Sequence, residues 1–187
     1  MVGVEIVPEA ADKARSRDSY ETVVTGDIID PDVMSQIDRV PFDFILFGDV
    51  LEHLVDPRHA LRTVSRLLAD GGRVLVCVPN IVHWSIRLRV LFGRFDYTAT
   101  GILDRTHLRF YTPSTLEEMV TSADMQIVSA SGVVWLPSPL NRLPKSINRA
   151  ISRIAGKASP GLFFGQTLLE LAPMSAPSSG AKAQRFD

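Results

Sequence analysis

The residues able to do chemistry gather in two short runs. In GDVLEHLVDP, Asp49, Glu52 and His53 stand at i, i+3 and i+4, which puts all three side chains on one face if the chain coils there into a helical turn. In DRTHLRFYT, His107 lies between Asp104 and Arg109. An imidazole titrates near neutral pH, so His53 and His107 are the candidates for taking a proton from a hydroxyl group. Arg109 could anchor an acidic group on a bound molecule, and His107 could touch that molecule's hydroxyl. Two plainer readings stand beside these. Asp104 and Arg109 could form an ion pair that only shapes the loop, and Glu52-His53 could cap and pack the following helix. His59 and His83 lack comparable neighbours and read as surface or helix-boundary residues. Trp84 and Trp135 read as core.

The first run sits inside a complete strand, helix and strand unit, Phe42 to Asn80. The apolar run Phe44 to Phe47 is too short for a helix and stops at Gly48-Asp49, while Val74 to Val78 is unbroken and rich in valine. Both read as inner strands of a parallel sheet, covered on both faces. Between them Leu61, Val64, Leu67 and Leu68 recur at helical spacing. Asp56 is placed to cap that helix, Pro57 to open its first turn and Gly71-Gly72 to end it. A loop at the carboxyl end of a parallel strand is where such a sheet binds its ligands.

The same alternation runs along the rest of the chain. Val2 to Val7 reads as a strand, Pro8 to Arg15 as a helix, Tyr20 to Thr25 as a strand and Pro31 to Ile37 as a short helix. Trp84 to Phe92 is apolar with Arg87 and Arg89 interleaved, and Gly93 ends it. Arg94 to Tyr111 is irregular, and a loop of that length in a compact domain is usually functional. Thr112-Pro113-Ser114 opens a further helix, with Leu116, Met119 and Val120 inward and Glu117 and Glu118 expected in its first turn. Gln126 to Val134 and Phe163 to Leu171 read as the last two strands. This is the pattern of a doubly wound α/β domain over residues 1–172, followed by a small, polar, unperiodic tail over 173–187 that reads as disordered.

Composition narrows the function classes. Among 187 residues, 20 basic and 21 acidic side chains leave a net charge of −1, so no global field recruits nucleic acid. The single cysteine, Cys77, lies in an apolar strand and reads as a small core residue. No disulfide framework exists, residues 1–7 do not form a signal peptide, and no apolar run approaches the ~20 residues of a membrane helix. A reducing, cytoplasmic setting is the expectation. Between Pro137 and Pro160, Arg142, Lys145, Arg149, Arg153 and Lys157 occur without one acidic residue, opposite a stripe of Ile147, Ala150, Ile151 and Ile154. The segment 142–157 thus reads as a basic amphipathic helix. Its polar face is either simply solvated or suited to peripheral contact with an anionic membrane or a phosphate-bearing, lipid-linked acceptor. Without interleaved aromatic residues it does not read as a nucleic-acid site.

The runs FDFILFGDVLEHLVDP, LADGGRVLVCVPN, VGVEIVPEAADKAR, Gly26-Asp27-Ile28 and DRTHLRFYTPSTLEEMV together resemble class I S-adenosylmethionine-dependent methyltransferases. The likeness covers roughly Val2 to Val134 and is strongest to the small-molecule O-methyltransferases of ubiquinone biosynthesis and their relatives. It implies a Rossmann-like, mainly parallel sheet in the order 3-2-1-4-5-7-6, with an antiparallel final strand. It implies S-adenosylmethionine as cofactor and a small-molecule, glycan-type or lipid-linked acceptor, methylated on oxygen. Cofactor contacts would fall on Gly3, Glu5, Gly26, Asp27, Ile28, Gly48 and Asp49. Of these, Glu5 would hold the ribose hydroxyls, Asp27 the adenine amino group, Ile28 the ring face, and Gly48-Asp49 the methionine end. The resemblance also assigns divalent-metal ligands, for a cation such as magnesium, to Asp49, Glu52 and His53, and places Arg109 and His107 on a substrate lid.

One part of the family pattern is absent. These enzymes begin with a strand and a glycine-rich loop, whereas this sequence starts at the strand that should come second. The strands at Val2 to Val7 and Phe44 to Phe47 are then expected either to pair directly or to leave a gap, and either outcome would weaken cofactor binding. A late start codon, a truncated gene or a decayed copy would account for it. Two other readings follow: a degenerate, non-catalytic methyltransferase-like binding protein, and a nicotinamide-dependent oxidoreductase that uses the same ribose-binding acid.

Overall fold

The computed structural model describes residues 1–37, 41–137 and 140–174. The tail expected over 173–187 lies outside the described residues, apart from Pro173 and Met174. The elements follow the anticipated order. These are β1 (Val2–Glu5), α1 (Pro8–Arg15), β2 (Thr22–Thr25), α2 (Pro31–Ile37), β3 (Phe42–Gly48), α3 (Pro57–Ser65), β4 (Leu68–Pro79), α4 (Trp84–Leu91), α5 (Pro113–Thr121), β5 (Met125–Val134), α6 (Lys145–Ala158), α7 (Pro160–Phe163) and β6 (Phe164–Pro173).

The strands form two sheets rather than one. β1 pairs with β2 in parallel, and a separate four-stranded sheet runs β3-β4-β6-β5. Within it β3 and β4 are parallel, while β6 is antiparallel to both β4 and β5, as expected for the last strand. Among the described residues no strand is bonded to the free edge of β1 or of β3. Direct pairing of those two strands is therefore not what the chain does, and the gap is the outcome observed. On β3 the result is visible at once: Phe44 is 65% and Leu46 70% exposed, where an inner strand would bury both.

The main core lies on the opposite face of the larger sheet. Phe47, Val74, Val76, Val78, Leu169 and Leu171 pack there against Leu61 and Val64 of α3 and Leu116 and Val120 of α5. A second cluster, Val24, Val33 and Ile37, belongs to the β1–β2 sheet; Ile28 and Leu67 join its edge, and Ile28 also packs on the main core.

Local chemistry explains most element ends. Asp56 caps α3 by accepting from the His59 amide at 3.0 Å, with Pro57 at the first position. Thr112 and Thr115 form a reciprocal capping box at the start of α5. Two expectations need correction. Gly71-Gly72 do not end α3, which stops at Ser65; they lie within β4, where the β3–β4 register shifts between Phe42 and Phe44. Glu117 and Glu118 miss the first turn of α5, because the helix already starts at Pro113 and its capping is done by hydroxyls instead.

Candidate active site

The larger sheet delivers its chemistry at the carboxyl end of β3. Just past Gly48, Asp49 adopts the left-handed conformation (φ 52°) while its amide donates to the Cys77 carbonyl at 3.0 Å, so the chain turns sharply off the sheet. Residues Leu51–His53 then coil into a single 3-10 turn that holds Glu52 and His53 and leaves Asp49 outside it. The Asp49 carboxylate is taken up by the Gln166 side-chain amide, which donates to its two oxygens at 2.8 and 3.1 Å.

Glu52 is the unusual residue. It is 1% exposed, and neither carboxylate oxygen has a hydrogen-bond partner. Its own carbonyl accepts from the amides of Leu108 at 2.9 Å and Arg109 at 3.1 Å, which stitches the irregular loop onto the 3-10 turn. This contact brings His107 Nε2 to 3.9 Å from Glu52 Oε1. The His107 Nδ1 lies 3.1 Å from the Ile102 carbonyl, and His53 Nδ1 lies 3.2 Å from the Thr106 carbonyl. A carbonyl only accepts, so each ring carries a proton on Nδ1 and turns Nε2 away from that bond. The two imidazoles meet edge to face with centroids 4.8 Å apart.

Burial sets the proton affinities here. It raises the Glu52 carboxyl to about 7, with the Asp49 charge adding to the effect. It also lowers His107 below the ordinary imidazole value, and the neighbouring His53 pushes the same way. The Cys77 thiol is pushed up to about 11 by burial and by the Asp49 and Glu52 charges, so it is no nucleophile.

Asp49, Glu52, His53 and His107 line a cavity of about 210 Å³ together with Pro79, Gly101, Ile102, Asp104, Trp135 and Gln166. Complete ligand pockets usually span about 300 to 1,000 Å³, so this one fits the reacting end of a ligand, not a whole nucleoside plus acceptor. The residues expected at a nucleoside lie on the other sheet and in the loop that follows β2. Glu5 and Thr25 are paired neighbours at the ends of β1 and β2, and the Gly26 amide donates to the Glu5 carbonyl at 2.9 Å. The Glu5 carboxylate accepts from the Val7 amide at 2.9 Å through Oε1. Asp27 accepts from the Ile29 amide at 3.1 Å, and Ile28 beside it is half-buried. Gly26 has φ +150°, and a Cβ there would stand 2.5 Å from Val33 Cγ2, so no larger residue fits without a shift. Gly3 lies against the Tyr20 ring, and Gly48 is exposed with open space over its Cα.

The structure thus brings Glu52, His53 and His107 together, with potential ligand atoms within 4.8 Å of one another. Asp49 stands nearby, its carboxylate bonded to Gln166, and lies outside that group, whereas His107, from the distant loop, belongs to it. Arg109 is no open anchor: its guanidinium donates to the Leu54 and Val55 carbonyls, at 3.4 and 2.5 Å. Nor does it pair with Asp104, which accepts instead from the Thr106 amide at 2.8 Å and hydroxyl at 2.7 Å. His83 is a helix-boundary residue as expected, but buried rather than on the surface, with Nε2 3.1 Å from the Trp135 carbonyl. Trp135 is 40% exposed and lines the cavity instead of filling core.

Sequence reasoning missed Gln166 and Asn80. Gln166 opens the polar pair Gln166-Thr167 at the start of a mainly apolar strand, which is the signal that could have flagged it. Asn80 is 1% exposed, and its side-chain amide donates to the Gly161 and Phe164 carbonyls at 3.0 and 2.8 Å, tying the end of β4 to the start of β6.

Comparison with known proteins agrees with this geometry. Residues 1–130 match the family described as methyltransferase domain. A ubiquinone biosynthesis O-methyltransferase from Caulobacter sp. (strain K31) is 29% identical over 99 residues, covering 52% of this chain and 38% of the relative. The human mitochondrial ubiquinone biosynthesis O-methyltransferase is 22% identical over 143 residues, covering 73% of this chain and 38% of the relative. The chain therefore spans well under half the length of these curated relatives. Among solved structures, a SAM-dependent methyltransferase from Thermotoga maritima, described as a possible histamine N-methyltransferase, superposes with a TM-score of 0.58 at 16% identity, over 93% of this chain and 72% of that one. At that identity the likeness shows the fold alone.

Proposed function

The chain belongs to the methyltransferase-domain family, and we propose that it transfers a methyl group from S-adenosylmethionine to an oxygen of a small-molecule or glycan-type acceptor, free or lipid-linked. The observation that carries this reading is the buried Glu52 carboxyl, without a hydrogen-bond partner, facing His107 Nε2 across 3.9 Å at the floor of the cavity. The residues present fit the cofactor's nucleoside end. Two carboxylates, Glu5 and Asp27, stand at the carboxyl ends of adjacent parallel strands, where ribose and base donors are met in such sheets. Glu5 would hold the ribose, Asp27 the adenine amino group and Ile28 the ring, while Gly48 and Asp49 would meet the methionine end. Bound there, the cofactor supplies an electrophilic methyl group on a sulfonium.

The protein's own task is then to orient the acceptor and take one proton. His107 is neutral at physiological pH, with its lone pair on Nε2, so it can receive the proton of an acceptor hydroxyl. Glu52, once ionised, stabilises the resulting imidazolium. Such a positioned base contributes roughly 10² to 10⁴ in rate, and holding the two reacting centres in line contributes the rest. His53, donating to the Thr106 carbonyl, keeps the second wall of the cavity and offers its own Nε2 as the alternative base.

A second reading is favoured by one specific arrangement. Two imidazole lone pairs and one carboxylate within 4.8 Å form a donor set suited to a divalent cation, and Glu52, His53 and His107 would hold it. Such an ion would supply a Lewis acid toward the acceptor oxygen.

Calorimetry with S-adenosylhomocysteine and with NAD, followed by transfer of a labelled methyl group to a panel of phenols and sugars, tests the proposal. Binding of the former alone, with activity lost in His107→Gln and indifferent to chelator, is the expected result. Activity lost with chelator and restored by magnesium or manganese would move the role to the cation. Binding of NAD instead, or of neither molecule, would overturn the methyltransfer reading.

A further inference from the structure

Helix α6 docks through a face that is neither of the two stripes its sequence sets out, with Ile151 alone of the apolar stripe turned inward. Its buried and half-buried positions are Asn148, Ile151, Ser152, Ala155 and Gly156, a mostly small or polar set. Gly156 makes this docking feasible, since a Cβ there would stand 3.0 Å from both Phe164 Cε1 and Val134 Cγ2. The apolar stripe is left outside: Ile147 is 48% and Ile154 70% exposed, with Ala150 exposed between them. Beside that stripe runs a second one, Arg149, Arg153 and Lys157, all exposed and none in an ion pair among the described residues. No acidic residue occurs anywhere between Asp124 and Glu170.

An apolar stripe alone would not say what covers it, but its charged neighbour does. A nucleic acid would satisfy the cations and leave the isoleucines in water, and a protein partner would have to set an acidic stripe beside an apolar one in matching register. A surface that offers anions and hydrocarbon a few ångströms apart satisfies both. Among the described residues no helix is long and apolar enough to cross a membrane, so contact would be peripheral.

We propose that α6 is an interfacial helix that seats Ile147, Ala150 and Ile154 in the outer hydrocarbon of an anionic bilayer, with Arg149, Arg153 and Lys157 at the headgroup phosphates. The docking does not depend on the methyl-transfer reading. Val134, whose neighbour Trp135 lines the cavity, stands against Gly156 of α6, so a chain held this way keeps its cavity close to the lipid surface.

Co-sedimentation of the full chain with vesicles tests it, using phosphatidylcholine alone and phosphatidylcholine containing about one-third phosphatidylglycerol. The expected result is partition at least tenfold stronger into the anionic vesicles, weakening as salt rises. The variant Ile147→Ser/Ile154→Ser should lose at least about tenfold in partition, and Arg149→Gln/Arg153→Gln/Lys157→Gln roughly 100-fold. All of these positions are exposed, so both variants should keep the parent's thermal midpoint. A shifted midpoint in either would contradict the surface geometry on which the proposal stands. Absent or equal partition into the two vesicle types would overturn the proposal. So would an unchanged partition of the isoleucine variant, or binding to an RNA oligonucleotide as tight as to anionic vesicles, since either would reduce α6 to a nonspecific cationic surface.

Discussion

Glu52→Gln should stabilise the folded chain at alkaline pH while removing a group from the candidate site. Burial lifts the Glu52 carboxyl from its ordinary 4.5 to about 7. Between those values the folded chain holds a proton that the unfolded chain has released. Stability therefore falls as pH rises through this window, and the loss is complete above about 7. The difference of about 2.5 pH units corresponds to about 3 kcal/mol. Glutamine has nearly the same shape and never ionises, so it escapes the penalty. Urea unfolding at a series of pH values should show the variant's advantage growing by about 2.5 kcal/mol between about pH 5 and pH 8. The thermal midpoint at about pH 8 should rise by roughly 6 to 12 °C for a chain of this size. Parallel stability curves for parent and variant, or a variant that is weaker at pH 8, would refute the account of Glu52 as a buried carboxyl held without partners.

Glu5→Ala should weaken S-adenosylhomocysteine binding by about 1.5 to 3 kcal/mol in calorimetry with the thermal midpoint unchanged, and full affinity in that variant would remove Glu5 from the site. Gly26→Ala should cost about 1 to 3 kcal/mol of stability in urea, because its φ of +150° and the Val33 methyl leave no room for a Cβ; a neutral change would show that the turn relaxes freely. Asn80→Leu should cost about 2 to 4 kcal/mol, since it strands two buried carbonyls at the junction of β4 and β6, and a loss under about 0.5 kcal/mol would mean that water replaces the amide.

What could be read from the sequence was local. The spans of α1 and α2, the Asp56 cap, the Thr112 start of α5 and the strand that ends at Gly48-Asp49 all follow from signals a few residues long, and the structure keeps each of them. The 49/52/53 spacing likewise announced a helical turn. What could not be read is which distant residue fills the remaining bonds of that turn. Gln166 reaches Asp49 from 117 positions away, and its partner choice depends on β6 running antiparallel beside β4. No local spacing announces that bond. Arg109 shows the same limit: in the folded loop its guanidinium bonds the Leu54 and Val55 carbonyls, partners that no local signal announces. For α6, periodicity gave the two stripes correctly. It could not tell which side meets the protein: the helix docks through Asn148, Ile151, Ser152, Ala155 and Gly156, a face beside both stripes where Gly156 allows close approach.

The unpaired edges of β1 and β3 change what a bound nucleoside would do to this chain mechanically. Glu5 and Asp27 ride on one sheet, and Asp49 and Glu52 on the other, with Ile28 and Leu67 among the few apolar side chains joining the two halves. A molecule gripping both ends would act as a cross-link, adding its own binding free energy to the cohesion between the sheets. Amide hydrogens along the two open edges should exchange with solvent far faster than those of β4, which is bonded on both sides. Saturating S-adenosylhomocysteine should slow exchange at β1 and β3 together, as one cooperative unit, because the ligand would become the tie that the backbone of these strands does not provide.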